Sequence, residues 1–203
     1  MKYIFIKKGE SALTYLLLHG TGGTERDLIP ILDMIDSNAN VFGVLGEVSE
    51  NGMARYFKRL AEGVFDEEDL DYRTDRLHHF VKEKCLEYNI DPEKLVVLGY
   101  SNGANMVQSL LLRHPNFYHT VVMLHPMNVK RQMDFSDLSH TQIFIGAGQF
   151  DPICPIEETD VLETRLLKAN AKVELSVLNT DHRITYEEVM TVKKWIESIM
   201  PRA

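Results

Sequence analysis

Three residues of this chain have the types and surroundings to do chemistry together: a serine between two glycines, an aspartate before a proline, and a histidine in a polar loop. They are Ser101 in GYSNGANM, Asp151 in GAGQFDPICP and His182 in NTDHRIT. Acyl transfer by a serine hydroxyl needs a base within hydrogen-bond reach, a carboxylate to orient that base, and N–H donors for the oxyanion. Gly99-x-Ser101-x-Gly103 has the spacing in which a nucleophilic serine sits on a strained strand-to-helix turn, where only small residues two positions to either side let strand and helix pass closely. The stretch has a plainer reading too. Ser101 or Asn102 can be a helix N-cap that satisfies the first free N–H groups of the helix that follows.

The elements around these residues decide whether they can meet. Apolar runs at Tyr3–Ile6, Thr14–Leu18, Val41–Leu45, Leu95–Leu98, Thr120–Leu124, Gln142–Ile145 and Lys172–Val177 read as strands. Helical patterns near Arg26–Ile35, Glu67–Tyr88, Asn105–Arg113, Glu157–Ala169 and Tyr186–Ile199 alternate with them. This alternation, with continuous apolar interior strands, predicts an α/β fold around a mostly parallel sheet. Functional groups of such sheets lie on loops at the carboxyl ends of strands. Ser101, Asp151 and His182 each follow a predicted strand, and their order, Ser then Asp then His, is that of the α/β-hydrolases. His125, in VVMLHPMN, also ends a strand but precedes Asp151, so it is expected to line a pocket or be structural. His19 opens the turn HGTGG and is expected to be a structural member of it. The glycines of that turn bring backbone N–H groups close to a ligand, and by position the oxyanion donors would be the N–H groups of Thr21 and Asn102. Neither G-K-[ST] nor G-x-G-x-x-G with an acidic partner occurs, which argues against a nucleotide site.

Composition narrows the partners. The chain has 203 residues, 44% hydrophobic and 26% charged, with a formal charge of −8 and no Lys/Arg block, which argues against nucleic acid and anionic membrane surfaces and for small molecules. It is expected to be one domain, residues 1–203. The apolar core of MKYIFIKKGE is too short for a signal segment and no run approaches a membrane span, so a cytoplasmic location is expected. Cys85 and Cys154 form neither a C-x-x-C pair nor a disulfide framework, which suits a reducing compartment and gives no support to structural zinc. A homodimer is compatible with all of this. The acidic run Asp66–Asp69 is read as the start of a helix, where carboxylates complement the dipole. The longest segment without a clean period, about Glu47–Phe65, is expected to be an irregular binding loop. It carries Met53, Phe57 and Phe65 beside Arg55, Lys58 and Arg59. With Met127 and Ile153, its apolar residues are expected to form a small acyl or alcohol pocket, though by type each serves equally in a core.

On LHGTGGTERDLIPI, ENGMARYFKRLAEGVFDEEDL, GYSNGAN, MLHPM and GQFDPICP, the chain resembles the phospholipase/carboxylesterase family of α/β-hydrolases, and within it the bacterial esterases grouped with hydroquinone and quinone resistance. The resemblance spans nearly the whole chain. It implies an α/β-hydrolase fold with helices on both sheet faces and no large cap domain, the triad Ser101, Asp151 and His182, and a small carboxylic ester as substrate. From Thr14 onward the connections are short except about Glu47–Phe65, which leaves little room for a cap over a long tunnel, so a short acyl chain is expected. No metal or organic cofactor is implied. The same machinery serves an acyl thioesterase or lysophospholipase, and the fold also serves non-catalytic small-molecule binders. One residue departs from the pattern: Asp181 stands before the histidine where the family usually has glycine. Aspartate tolerates a left-handed backbone better than most residues, and it places a charge beside the base.

Overall fold

Strands that are apolar on both faces must be covered on both faces, and the chain meets that demand with helices on either side of one sheet. The computed structural model describes residues 1–9 and 13–200. In chain order the elements are β1 (Tyr3–Ile6), β2 (Thr14–Leu18), α1 (Ile29–Ile35), β3 (Asn40–Val44), the short strands β4 (Val48–Glu50), β5 (Met53–Arg55), β6 (Arg59–Ala61) and β7 (Val64–Phe65), then α2 (Glu67–Glu87), β8 (Leu95–Tyr100), α3 (Asn102–Arg113), β9 (Thr120–Leu124), β10 (Gln142–Gly148), α4 (Ile156–Lys168), β11 (Lys172–Leu178) and α5 (Tyr186–Ile199). Among the described residues, seven strands form the main sheet in the order β1-β3-β2-β8-β9-β10-β11. Every pairing is parallel except β1 with β3. This is the α/β-hydrolase architecture expected from the sequence. No helix among the described residues is long and apolar enough to cross a membrane.

The period of two along each strand sorts the core into two halves. Leu16, Leu18, Val97, Val121, Met123, Ile143 and Ile145 face α2, α3 and α4. Their chain neighbours Tyr15, Leu17, Val96, Leu98, Val122, Leu124 and Phe144 face α1 and α5. Each such side chain contributes roughly 1.5–3 kcal/mol by leaving water, so the sheet fixes the helices and hence the loops between them. Register then aligns the strand ends. Leu18 pairs with Gly99, Tyr100 with Leu124, and Leu124 with Gly146, which brings the loops after β2, β8, β9, β10 and β11 to one edge.

Two expectations are corrected. The first helix starts at Ile29, because residues 25–28 form turns closed by Asp27 N–H to Thr24 O and Ile29 N–H to Arg26 O. Pro30, without an N–H, then fits the first turn. The Glu47–Phe65 segment is two hairpins, β4–β5 and β6–β7. Asn51 and Gly52 turn the first with φ of 52° and 80°, the left-handed pair that a two-residue hairpin requires. Strands of two or three residues carry no readable period, although the Asn-Gly dipeptide itself is a hairpin signal. The acidic run behaves as expected: the Asp66 carboxylate accepts the Asp69 N–H at the start of α2.

The start of α3 approaches the ends of β2 and β8 very closely. A Cβ on Gly103 would stand 1.9 Å from Leu18 O, and one on Gly99 would stand 2.7 Å from Gly103 O. The obstacles are backbone atoms and cannot rotate away. Gly103→Ala is therefore expected to lower stability by about 2–3 kcal/mol through overpacking, read as a lower urea midpoint at unchanged m-value. Gly52→Ala, strained at φ +80° but with nothing within 4 Å, should cost only about 1 kcal/mol. Equal losses would refute the steric account.

Candidate active site

Ser101 sits between β8 and α3 with φ 50° and ψ −113°, a backbone that costs a non-glycine residue about 1–3 kcal/mol. The turn is held by Ser101 N–H to Leu124 O (2.9 Å) and Asn105 N–H to Ser101 O (3.0 Å). The Ser101 hydroxyl does not cap α3. It lies 2.9 Å from His182 Nε2 instead, while His182 Nδ1 is 2.6 Å from Asp151 Oδ2. With the Nδ1–H donating to the carboxylate, Nε2 is left to accept from the serine. Tyr100 fixes the histidine loop by donating its O–H to His182 O at 2.7 Å. Asp151 Oδ1 accepts the N–H groups of Ile153 (2.8 Å) and Cys154 (2.9 Å). Burial works to raise the Asp151 pKa, but the Cys154 N–H, His182 and the Ile153 N–H outweigh it and hold the carboxyl below its ordinary value.

The glycine-rich turn is braced from below. Its His19 Nδ1–H donates to Gly20 O (2.6 Å) and Nε2 accepts from Gly46 N–H (3.0 Å). Burial lowers the His19 pKa, in keeping with a neutral ring that donates at one nitrogen and accepts at the other. The first hairpin braces the turn from the side: Gly22 N–H reaches Ala54 O (2.8 Å), and Arg55 Nη1 donates to Thr21 Oγ1 (2.8 Å). Among the described residues the backbone N–H groups of Thr21 and Asn102 have no protein acceptor. Both residues line a cavity of about 300 Å³ that also contains Ser101 and His182.

Of the five expected pocket residues, Phe65, Met127 and Ile153 stand on the cavity wall. Two of the expected pocket residues do not. Phe57 is fully buried in the core and meets Phe65 edge-on at 5.3 Å. Met53 is 40% exposed on the outer side of the first hairpin, packed toward Gly22. In their place the wall carries Arg55 and Arg59 from the hairpins, Tyr100 from the end of β8 and Asn105 from α3; hairpin register, which a sequence pattern does not show, sets the direction of the two arginines. Asp181 also differs from expectation. It is absent from the left-handed residues, and its carboxylate is taken up by Arg183, Nε to Oδ1 at 2.9 Å.

Behind the Asp151 carboxylate lies a pair that the sequence reading missed. His125 does not line the cavity. Its Nδ1 is 3.1 Å from Asp151 Oδ2 and its Nε2 is 3.2 Å from Glu188 Oε2, with all three side chains 1% exposed or less. A neutral imidazole has one N–H, whereas two carboxylates ask for two. Burial opposes charge here, yet Glu188 and then Asp151 outweigh it and raise the His125 pKa above its ordinary value. Glu188 belongs to the first turn of α5, and its Oε1 is buried without a hydrogen-bond partner. No local motif announces it. His125, Asp151 and His182 also place one ligand atom each within 4.8 Å of one another, but both imidazoles already donate to Asp151, so a cation there would have to displace two protons.

A strained serine joined to histidine and aspartate at the carboxyl edge of a mostly parallel sheet defines a hydrolase of the α/β-hydrolase fold. The phospholipase/carboxylesterase family model matches residues 52–200, and the chain belongs to that family. It is 40% identical over 195 residues to MhqD of Bacillus subtilis (strain 168), a protein named as a hydrolase, covering 96% of this chain and 97% of that one. Among solved structures, the Bacillus cereus carboxylesterase superposes with a TM-score of 0.94 at 46% identity, over 98% of this chain and 94% of the other. The structure of YahD with malic acid superposes with a TM-score of 0.92 at 30% identity, over 97% of this chain and 98% of the other.

The His125–Glu188 pair makes a stability prediction whose sign is fixed. The folded pKa of His125 lies above the ordinary 6.5, so the pair's stabilisation is fully present below the unfolded value and is lost as pH rises through the folded one. Removing the Glu188 charge should cost most in acid. Glu188→Gln is expected to lower Tm strongly at about pH 5.5, with the gap to wild type shrinking toward about pH 9; breaking a buried ion pair costs roughly 3–5 kcal/mol. A gap that widens with pH would refute the charged-histidine assignment.

Proposed function

We propose that this chain hydrolyses small carboxylic esters through an acyl-enzyme on Ser101. The observation that supports the reading is the unbroken hydrogen-bond path from Ser101 Oγ through His182 to Asp151, opening on a cavity of about 300 Å³. Ser101 Oγ would attack the ester carbonyl while His182 Nε2 takes the hydroxyl proton. Asp151, buried and held by four donors, would keep the Nδ1–H in place and balance the imidazolium that forms. The free N–H groups of Thr21 and Asn102 would receive the oxyanion, aided by the positive end of α3. Collapse of the tetrahedral adduct breaks the ester C–O bond, and the alcohol leaves with the proton from His182. A water then repeats the sequence and releases the acid.

A cavity near the lower end of the range for small-molecule sites suits a short acyl chain. Each buried methylene adds up to about 0.8 kcal/mol of binding, so a long tunnel would show kcat/KM climbing from acetyl through octanoyl. Across p-nitrophenyl esters of two to sixteen carbons, held below their micelle concentrations, the maximum is expected between acetyl and butyryl. A maximum at ten carbons or more would favour a long-chain thioesterase or lysophospholipase instead. Ser101→Ala should lose both turnover and fluorophosphonate labelling with little change in Tm; a labelled alanine variant would place the nucleophile elsewhere.

A further inference from the structure

The cavity beside Ser101 is rich in donors. Arg55 is 4% exposed. Its Nη1 donates to Thr21 Oγ1, and its Nε lies 3.3 Å from both Phe57 O and Glu50 Oε2. Arg59 gives its Nε to Glu50, at 2.8 Å from Oε1 and 3.1 Å from Oε2. Glu50 thus holds both guanidinium groups by their Nε edges. Among the described residues, Nη2 of Arg55 and both Nη groups of Arg59 have no protein acceptor.

Two buried amides add to this. Asn102 Oδ1 accepts Tyr56 N–H and Asn105 Oδ1 accepts Met127 N–H, each at 2.8 Å. A backbone N–H needs an acceptor, so both amides are oriented with oxygen toward the protein and –NH₂ left over. Asn102 Nδ2 is buried with no partner at all, a condition that costs a polar group about 1–3 kcal/mol unless a ligand satisfies it. Burial and the neighbouring Arg59 charge hold the Arg55 pKa below its ordinary value, and an added negative charge would relieve that repulsion. The one acidic residue on the described wall, Glu62, is exposed to solvent, where screening weakens its opposition.

Resting on the esterase reading above, we propose that the preferred substrates are esters carrying a free carboxylate, such as half-esters of short dicarboxylic acids, with Arg59 and Arg55 receiving that carboxylate. A guanidinium with its Nε occupied still presents two Nη groups. Planar, charge-assisted pairing of this kind distinguishes a carboxylate from a neutral isostere of the same shape. The apolar wall of Phe65, Met127 and Ile153 is then left for the hydrocarbon part of the substrate.

The test compares monoethyl succinate and monoethyl glutarate with ethyl succinamate and ethyl glutaramate, neutral amides of nearly equal size, following ethanol release. Wild type is expected to favour the anionic member by about tenfold or more in kcat/KM, the scale of one hydrogen bond to a charged group. In Arg59→Gln the ratio should fall toward one. In Lys58→Gln it should persist, because Lys58 carries the same charge on the same segment, is exposed and does not line the cavity. Calorimetry with succinate reads the same site without turnover: binding to wild type should be lost in Arg59→Gln. Equal turnover of acid and amide esters by wild type, or a preference that survives Arg59→Gln, overturns the carboxylate site and leaves the esterase reading intact. Failure to turn over any ester, with Ser101 unlabelled by fluorophosphonate while succinate still binds, overturns the esterase reading and supports the anion site.

Discussion

Four donors converge on the carboxylate of Asp151, and the geometry of the site depends on their convergence. Oδ1 takes the N–H groups of Ile153 and Cys154; Oδ2 takes His182 and His125. These donors come from the loops after β9, β10 and β11, and Glu188 ties α5 to the same point through His125. A buried carboxylate is tolerable only when its charge is matched and its lone pairs are filled. The same bonds that satisfy Asp151 therefore fix the positions of three loops and of the imidazole that faces Ser101. The residue behind the site completes the set: His125 meets Asp151 Oδ2 on the side away from Ser101, so the lone pairs of both carboxylate oxygens are engaged within the protein.

Around this point the fold concentrates strain and offsets it with burial. Ser101 holds a left-handed backbone, and the glycines flanking it allow backbone to pass where a Cβ would collide. α3 is buried along nearly its whole length, so its packing against the sheet and α2 supplies the stabilisation that keeps the turn strained. The cost falls where the backbone must present a hydroxyl and free N–H groups at once. Conformational precision at Ser101 is a product of the core beneath it.

The hairpins between β3 and α2 shape the other half of the cavity. Each is too short to be stable alone, and each is anchored by long-range contacts: Gly22 and Thr21 to β5, Tyr56 N–H to Asn102, Lys58 N–H to Asp69. Arg55 leans on the Phe57 ring at 5.8 Å, so the buried aromatic that does not touch the cavity supports the guanidinium that does. Polarity thus enters a small pocket through two short hairpins that the rest of the fold holds in place.

The seven main strands, the five helices and the order of Ser101, Asp151 and His182 were legible in the sequence, because burial on two sheet faces and one helix face writes a local period of two or 3.6 into the chain. The elbow was legible for another local reason: Gly99 and Gly103 mark a close approach that other side chains forbid. Legibility ended where contacts join distant positions. His125 sits 63 residues from Glu188, and only the β9–β10–β11 neighbourhood and the seating of α5 against that edge make them partners. Met53 and Phe57, apolar and suitably spaced, faced away from the cavity, while Arg55 and Arg59 faced it, since three-residue strands take their orientation from register and not from periodicity. Sequence determined the elements and the reacting types, both set by short-range physics. Tertiary structure alone decided which charges meet and which side chains line the cavity, because those depend on strand order and on the burial that follows from it.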